Sequence, residues 1–339
     1  MAANSAENDN ILVNKITELA LAFQGSRILF SAFELGLFNA LGDVERSSGE
    51  VAMTLGTDPR ATDRLLNALC SLGLLKKKMG LFSNTPLTLR FLVKGKPEYM
   101  TGLMHYVHLW DSWSALTEAV REGKSLLAGD INERGDEWLS SFIAAMHERA
   151  RRHAPSVVAM IDISRVSRLL DVGGGSGAYA MAFVRAKDDL RATVFDLPNV
   201  IPLTQKYIVE EGLSDKVDTV VGDYYTDNLG SCFDLVFLSA IIHSNSPEQN
   251  IELIDKACRA VNPGGKLVIQ DFIMDGDRTT PAFGTFFALN MLVATDSGDT
   301  YTETEVRMWM EGAGLSNIHR KDTEIGTSIV IGELSPGIH

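Results

Sequence analysis

The 339-residue sequence has little cysteine and no long apolar run. Its three cysteines, Cys70, Cys232 and Cys258, are widely spaced in apolar segments, which predicts reduced core thiols in a reducing compartment and no zinc site. No stretch of about 18 apolar residues occurs, so no transmembrane helix is predicted. The first nine residues are polar and acidic, unlike a signal peptide. We therefore expect a soluble cytoplasmic protein with no metal and no membrane partner.

Basic residues are also scarce. The chain has 31 lysines and arginines against 44 aspartates and glutamates, a formal net charge of −13 at pH 7. Proteins that bind nucleic acid neutralise its phosphates with lysine and arginine, and no basic arm offsets this deficit. We therefore expect no nucleic-acid partner.

The chain contains 45% hydrophobic residues, enough over this length to build the cores of two domains.

A glycine-rich stretch after residue 172 predicts a nucleotide-binding turn. The apolar run before it is typical of a buried strand, and the residues after it are typical of the start of a helix. Glycines lack a Cβ, so a ligand can lie against their backbone. A second apolar run ends about 20 residues later in an acid that can accept hydrogen bonds from ribose hydroxyls. The candidate ligand contacts are Asp171, Gly173, Gly174, Gly175 and Asp196.

This turn does not identify one ligand. Its spacing, Gly173-x-Gly175-x-x-Ala178, also fits the dinucleotide fingerprint, so a nicotinamide-dependent dehydrogenase stays an alternative. A glycine turn that binds nothing is a further alternative. We favour a ligand site, because two glycines would suffice for a turn and an acid ends both strands.

The N-terminal half predicts a helical scaffold. Residues 11–41 carry apolar side chains at helical spacing, which indicates a core or subunit-interface face. Residues 47–84 then have the pattern of a winged helix, with helices at 49–55 and 61–72 and a hairpin at 74–82. A DNA-binding regulator is therefore an alternative function. Residues 58–64 contain as many aspartates as arginines, so we favour a structural role for this unit.

From Arg168 onward, strand-like runs alternate with helix-like spans. The runs are residues 168–172, 192–196, 217–222, 234–239 and 266–272. This alternation predicts an α/β fold with a doubly wound, mostly parallel sheet. Ligands bind beyond the carboxyl ends of the strands of such a sheet. The candidate site residues there are Leu197, Asp223, Tyr224, Ser239, His243 and Asp271.

Four of these residues have side chains with a specific chemistry. His243 follows a strand end, where an imidazole with a pKa near 6.5 can act as a general base. Asp271 can accept a hydrogen bond from one ring nitrogen and leave the other for a substrate proton. Asp223 can accept from an exocyclic amine, and Tyr224 offers an aromatic face to a purine. The alternatives are a surface histidine, a surface or N-cap acid at Asp271, and a loop cap at Asp223.

Together these motifs resemble the small-molecule O-methyltransferases that use S-adenosylmethionine, such as the caffeate and acetylserotonin enzymes and their bacterial relatives. The resemblance rests on LLDVGGGSG at 169–177, VFDLP at 194–198, VGDY at 221–224 and NPGGKLVI at 262–269. It implies a Rossmann-like methyltransferase sheet in residues 156–339. It also implies a winged-helix dimerisation and substrate-lid domain in residues 1–155, and a homodimer.

The resemblance also implies how ligands are bound. Gly173 to Gly175 would hold the methionine end of the cofactor, Asp196 its ribose, and Asp223 with Tyr224 its adenine. Ser239 stands where the family often has lysine or arginine near the cofactor. The positions that fall on or near the acceptor pocket are Tyr106, Trp110, Phe142, Met146, Asn290 and Met291.

The catalytic positions match the family with two departures. His243 falls on the catalytic base, and Asp271 on one of two acids that orient it. The family's common His-Asp-Trp is here His243-Ser244-Asn245, and Thr300 replaces the second acid. The resemblance therefore implies methyl transfer to a small-molecule hydroxyl with His243 as base. Methylation of a small thioether acid, as in dimethylsulfoniopropionate synthesis, needs no base and stays an alternative, as does cofactor binding without methyl transfer.

Overall fold

The computed structural model describes residues 2–126 and 135–335, with side chains from residue 11 onward. Contacts group these residues into two compact units. The first extends to Val107 and the second begins at His108. The division at residue 155 that the family resemblance implies stays a prediction.

The first unit contains a winged helix. Its elements are α1 (Ala2–Leu21), α2 (Phe23–Glu34), α3 (Leu37–Leu41), β1 (Arg46–Ser47), α4 (Ser48–Leu55), α5 (Pro59–Ser71), β2 (Leu75–Lys78), β3 (Leu81–Asn84) and α6 (Pro86–Phe91). The strands form an antiparallel sheet in the order β1-β3-β2. Ser47 and Glu50 form a capping box that starts α4, and Asp58 caps α5 before Pro59. These local signals explain why both predicted helices are present.

The first unit buries one apolar face and exposes another. Its core includes the fully buried side chains of Phe38, Leu66 and Phe82. On α1, by contrast, Ile16 is 67% exposed and Leu19 is 69% exposed. The apolar stripe predicted from the sequence is therefore divided between the core and the surface of this chain.

The second unit is an α/β domain that begins in the middle of α7 (Leu103–Ser114). Its other elements are α8 (Leu116–Glu122), α9 (Asp136–Ala159), β4 (Arg168–Val172), α10 (Ala178–Ala186), β5 (Arg191–Asp196), α11 (Ile201–Glu210), β6 (Val217–Val221), β7 (Phe233–Ser239), a 3-10 turn (Ile242–Ser244), α12 (Pro247–Ala260), β8 (Val261–Asp271), α13 (Ala282–Ala294), α14 (Glu303–Gly312), β9 (Leu315–Asp322) and β10 (Ser328–Leu334). In the ranges that the structure covers, none of the helices combines the length and apolarity needed to cross a membrane.

The seven strands form one mixed sheet in the order β6-β5-β4-β7-β8-β10-β9. The first five are parallel, whereas β10 runs antiparallel to both of its neighbours. This topology confirms the predicted doubly wound α/β fold. The strand order reverses between β4 and β7, and this is the point where such sheets bind ligands.

Both faces of the sheet are covered. Leu170 and Val172 on β4 belong to a core cluster that includes side chains of α12 and α14. Leu169, one residue away, belongs to a second cluster that includes side chains of α9, α10 and α11. Because successive side chains on a strand point to opposite faces, a strand buried on both faces is apolar at nearly every position. This explains the continuous apolar runs in the sequence.

Candidate functional site

A tight glycine loop connects β4 to α10 at the reversal point of the sheet. Gly173 and Gly175 have φ angles of +63° and +57°, a conformation that residues with a Cβ rarely adopt. A Cβ on Gly173 would lie 2.3 Å from Ile241 Cδ1, and one on Gly174 would lie 2.7 Å from Asp171 Oδ2. The loop therefore needs glycine both for its backbone conformation and for space, as a turn that lies close to a ligand requires.

Asp171 lies buried beneath this loop, with 1% of its surface exposed. One carboxylate oxygen accepts a hydrogen bond from the Ala180 backbone N–H at 3.3 Å, and the other has no partner among the described residues. Burial raises the pKa of Asp171 to about 7, and the nearby Asp196 adds to the increase against the effect of the Ala180 bond. Asp171 therefore lies below the loop, within its supporting core.

Asp196, at the end of β5, is bonded to the glycine loop. Its Oδ2 accepts from the Gly175 N–H at 2.7 Å and its Oδ1 from the Leu197 N–H at 2.8 Å. Burial raises the pKa of Asp196 to about 6, although both hydrogen bonds act in the opposite direction. The structure thus brings together Gly175, Asp196 and Leu197, which the sequence predicted to share one site.

The loop after β6 carries Asp223 and two tyrosines. Asp223 Oδ1 accepts from the Tyr225 N–H at 2.8 Å, so this carboxylate caps its own loop. The hydroxyls of Tyr224 and Tyr225 both donate to Asn245 Oδ1, at 3.1 and 2.6 Å. Burial raises the pKa of Tyr224 well above its usual value. The rings are therefore fixed, and a role for Asp223 beyond capping stays a prediction.

Asn245 links this loop to the histidine turn, a role that sequence reasoning missed. It is fully buried and its Nδ2 donates to Asn250 Oδ1 at 3.1 Å. Its carbonyl accepts from the Tyr301 hydroxyl, and Asn250 Nδ2 donates to the Ile242 carbonyl at 2.9 Å. The departure from the family's tryptophan at this position was the only available signal, and it did not reveal these partners.

His243 lies in the 3-10 turn after β7, next to Asp271 at the end of β8. His243 Nδ1 is 2.7 Å from Asp271 Oδ1, and Asp271 is 2% exposed. Because a carboxylate only accepts, Nδ1 carries the proton in the neutral imidazole, and the lone pair of that form is on Nε2. The ring of Phe287 contacts the imidazole edge-on, with centroids 4.8 Å apart. This geometry holds the imidazole in the tautomer that a general base needs.

Thr300, at the position of the family's second acid, has other partners. Its hydroxyl donates to the Gly284 carbonyl at 3.5 Å, and its N–H donates to Asp299 Oδ1 at 2.7 Å. Over the described ranges, Asp271 is the only carboxylate that contacts His243. Gly298, two residues before Thr300, packs closely against the histidine turn. A Cβ on Gly298 would lie 2.4 Å from the His243 carbonyl oxygen.

Ser239 replaces a cation with a neutral hydrogen-bonded group. Its hydroxyl donates to Gln270 Oε1 and lies close enough to Tyr179 to affect that residue's pKa by hydrogen bonding. Gln270 Nε2 in turn donates to Thr327 at 2.9 Å. The side chain at position 239 therefore forms part of a polar chain that continues from β7 through β8.

Helix α9 brings one wall to the glycine loop. Ile143 Cδ1 lies 3.8 Å from the position of a Cβ on Gly175, and Phe142 stacks on Trp138 with centroids 5.2 Å apart. Met146 is half-buried one turn further along. His147 is not among the site residues predicted from the sequence, yet its Nδ1 lies 2.9 Å from Ser176 Oγ in the loop.

His147 is neutral at physiological pH. Burial and, to a smaller extent, the charge of Arg151 lower its pKa to about 4, against the opposing effect of Glu211. Its ring stacks on Tyr207, with centroids 4.0 Å apart. No local sequence pattern distinguishes this contact from an ordinary buried histidine.

The remaining predicted pocket residues are more widely distributed. On α13, Asn290 Oδ1 accepts from Trp113 Nε1 at 3.0 Å, and Met291 is buried. The Trp110 carbonyl accepts from the Ser114 hydroxyl. Tyr106 belongs to the first unit and is 44% exposed. The contacts of these side chains with an acceptor stay predictions.

Comparison with known proteins identifies relatives of both units. Residues 113–316 match the sequence profile of the O-methyltransferase domain, and residues 17–94 match that of the O-methyltransferase dimerisation domain. The chain is 34% identical to a 3-hydroxy-5-methyl-1-naphthoate 3-O-methyltransferase of Streptomyces sahachiroi, over 89% of each chain.

Solved structures have the same architecture. An O-methyltransferase family protein from Burkholderia thailandensis matches with a TM-score of 0.86 and 28% identity, over 96% of this chain and 98% of that one. Human N-acetylserotonin methyltransferase, solved in complex with S-adenosylmethionine, matches with a TM-score of 0.83 and 25% identity over the same shares.

Proposed function

Because the chain belongs to the S-adenosylmethionine-dependent O-methyltransferase family, we propose that it transfers a methyl group to a hydroxyl on a small aromatic molecule. Membership confirms the methyltransferase class and the cofactor that the sequence resemblance implied. It also removes the support for the dehydrogenase and DNA-binding alternatives. The observation that carries the choice of oxygen as acceptor atom is the 2.7 Å contact between His243 and Asp271, beyond the ends of β7 and β8.

The cofactor fits the loop after β4. Gly173 and Gly174 have no room for a Cβ against Ile241 and Asp171, so the loop forms the tight glycine turn on which a ligand can lie, and Asp196 ends the neighbouring strand. These residues would hold the methionine end and the ribose, and Asp223 with Tyr224 the adenine. When bound, S-adenosylmethionine supplies an electrophilic methyl group on a sulfonium.

His243 is proposed to act as the general base. Its Nε2 accepts the proton of the acceptor hydroxyl as the oxygen attacks, and Asp271 stabilises the imidazolium that forms. Proton removal by a positioned base contributes a factor of about 10²–10⁴ to the rate. The rings of Phe272 and Phe287 next to the imidazole keep water away. A thioether sulfur needs no such base, so the His243–Asp271 pair favours oxygen as the acceptor atom.

Incubation of the purified protein with S-adenosylmethionine and a panel of hydroxyarenes and thioether acids tests this proposal. We expect methyl ethers, identified by mass spectrometry, and no product from Asp196→Ala, which lacks the carboxylate proposed to bind the ribose. Sulfonium products alone would contradict the proposal. Failure to methylate any hydroxyarene while S-adenosylhomocysteine still binds would also contradict it.

The first unit is proposed to form a homodimer. Residues 17–94 match a dimerisation domain, and α1 exposes Ile16 and Leu19 on the isolated chain. Apolar patches of this kind mark interaction surfaces. The cytoplasmic location expected from the cysteines stays a prediction.

A further inference from the structure

A cation lies against the aromatic cluster next to His243. This cluster is formed by Phe272, Phe283 and Phe287, and the rings of Phe272 and Phe287 are 4.3 Å apart. Arg149, on α9, places its guanidinium carbon 5.1 Å from the ring centre of Phe272 and 5.8 Å from that of Phe283. One continuous aromatic surface therefore extends from the proposed base to a positive charge.

Arg149 has no carboxylate partner among residues 11–126 and 135–335. Its situation differs from that of Arg278 and Arg320 in the same unit, each of which pairs with at least two acids. The lack of a carboxylate partner is notable because the chain has 13 more acidic than basic residues, counting histidine as neutral. A guanidinium that packs on aromatic faces still presents several planar N–H donors. Arg149 is therefore able to donate to an anion.

Arg149 also lies near the first turn of α10. Burial raises the pKa of Tyr179 to about 12, and the Ser239 hydrogen bond and the charge of Arg149 partly oppose that increase. Tyr179 follows the glycine loop by two residues. The positive charge is thus near both the phenylalanine cluster and the helix that begins at the loop.

We infer that Arg149 binds a carboxylate of the acceptor, and that the acceptor is a hydroxylated aromatic acid. This inference rests on the proposed function. The aromatic body of such an acid packs on the phenylalanine cluster, its hydroxyl reaches His243, and its carboxylate accepts two N–H bonds from the guanidinium. Arginine suits this role because its planar fork matches the geometry of a carboxylate.

Calorimetric titration of the protein saturated with S-adenosylhomocysteine tests this inference. The probes are hydroxybenzoates, hydroxynaphthoates and their methyl esters, which keep the rings and the hydroxyl but lose the charge. For at least one pair, we expect the acid to bind about tenfold more tightly than its ester in the wild type. Arg149→Gln should abolish that difference, and Arg149→Lys should keep part of it because the charge remains without the fork.

Two controls keep the result specific. Arg185→Gln removes an arginine on α10 that pairs with Glu211, and it should leave the preference for acids unchanged. Arg149→Gln should bind S-adenosylhomocysteine as the wild type does. Weaker binding of that ligand would overturn the inference, because the charge would then serve the carboxylate of the cofactor.

Other outcomes also decide the question. Esters that bind as tightly as acids, failure of every acid to bind, or an unchanged preference in Arg149→Gln would each overturn the inference. If one of these results overturns the inference, methylation of neutral hydroxyarenes by the wild type would still support the proposed function. Acid binding that depends on Arg149 with no methylation of any hydroxyarene would contradict the proposed function, and Arg149 would then be a carboxylate-binding residue but not one that binds a methyl acceptor.

Discussion

At the scale of single residues, the fold changes the acid–base behaviour of Asp171. Burial raises the pKa of this carboxyl group from its ordinary value of 3.8 to about 7. Between these pH values the folded chain keeps a proton that the unfolded chain has lost. The contribution of Asp171 to the free energy of unfolding therefore falls as the pH rises through this range.

Asp171→Asn removes that titration. The difference in the free energy of unfolding between the variant and the wild type should shift in favour of the variant by roughly 1–3 kcal/mol between about pH 5 and about pH 8. Urea unfolding of the cofactor-free protein at the two pH values measures the shift. Asp162→Asn is the control, because the pKa of Asp162 is lowered to about 2 and its carboxylate is ionised throughout. A difference that stays constant with pH would refute the account of Asp171.

Strand-end residues such as Asp196 and Asp271 could be located from the sequence, since parallel strands carry their carboxyl ends to one edge. His147 could not, because its partners Ser176 and Tyr207 come from other elements. Asn245 departs from the family pattern in the sequence, but that departure does not reveal its partners. Contacts that join distant segments leave no periodic signal in the chain.

At the scale of elements, the loop between β4 and α10 depends on space as well as on backbone conformation. Gly173 and Gly212 have similar φ angles, +63° and +67°. A Cβ on Gly173 would collide with Ile241, whereas one on Gly212 would have nothing within 4 Å. Alanine substitutions at these two positions therefore distinguish the effect of backbone strain from the effect of a steric clash in the glycine loop.

Gly173→Ala should weaken the binding of S-adenosylhomocysteine by about tenfold or more, because Ile241 or the loop must move. Gly212→Ala should lose about 1–2 kcal/mol of stability through the same backbone strain but bind the ligand normally. Calorimetry and thermal melting separate the two effects. Equal affinities of the two variants for S-adenosylhomocysteine would show that this loop does not form the cofactor site.

The start of β8 shows where pattern reasoning at this scale was wrong. The sequence predicts this strand over residues 266–272, and the residues before it, Asn262 to Gly265, have the composition of a turn. The structure begins it at Val261, which pairs with Phe233 before a register shift leads to the pairing of Leu235 with Lys266. Strand pairing across the sheet overrides the local turn composition there. The other core strands lie within one residue of their predicted limits, because apolar runs buried on both faces are unambiguous.

At the scale of the whole molecule, an apolar surface on α1 is exposed in the single chain. Ile11, Ile16 and Leu19 are each at least 60% exposed. Burying such side chains in a subunit interface yields about 25 cal/mol per Å² of apolar surface. The proposed homodimer would cover this surface.

Ile16→Glu combined with Leu19→Glu should convert the dimer to a monomer, since the interface would have to bury unpaired carboxylates. Sedimentation equilibrium measures the mass. Val209→Glu changes a side chain that is 67% exposed on α11 in the second unit, and it should leave the mass unchanged. A double variant with the same mass as the wild type would place the interface elsewhere.

If His243 removes the acceptor's proton, its loss must slow methyl transfer, and the turnover rate of His243→Ala measures that effect. His319→Ala, which changes an exposed histidine on β9, is the matched control. We predict that kcat for a hydroxyarene falls by about 10²-fold or more in His243→Ala. Its dissociation constant for S-adenosylhomocysteine should not change, and His319→Ala should match the wild type. An unchanged kcat in His243→Ala would contradict base-assisted O-methylation.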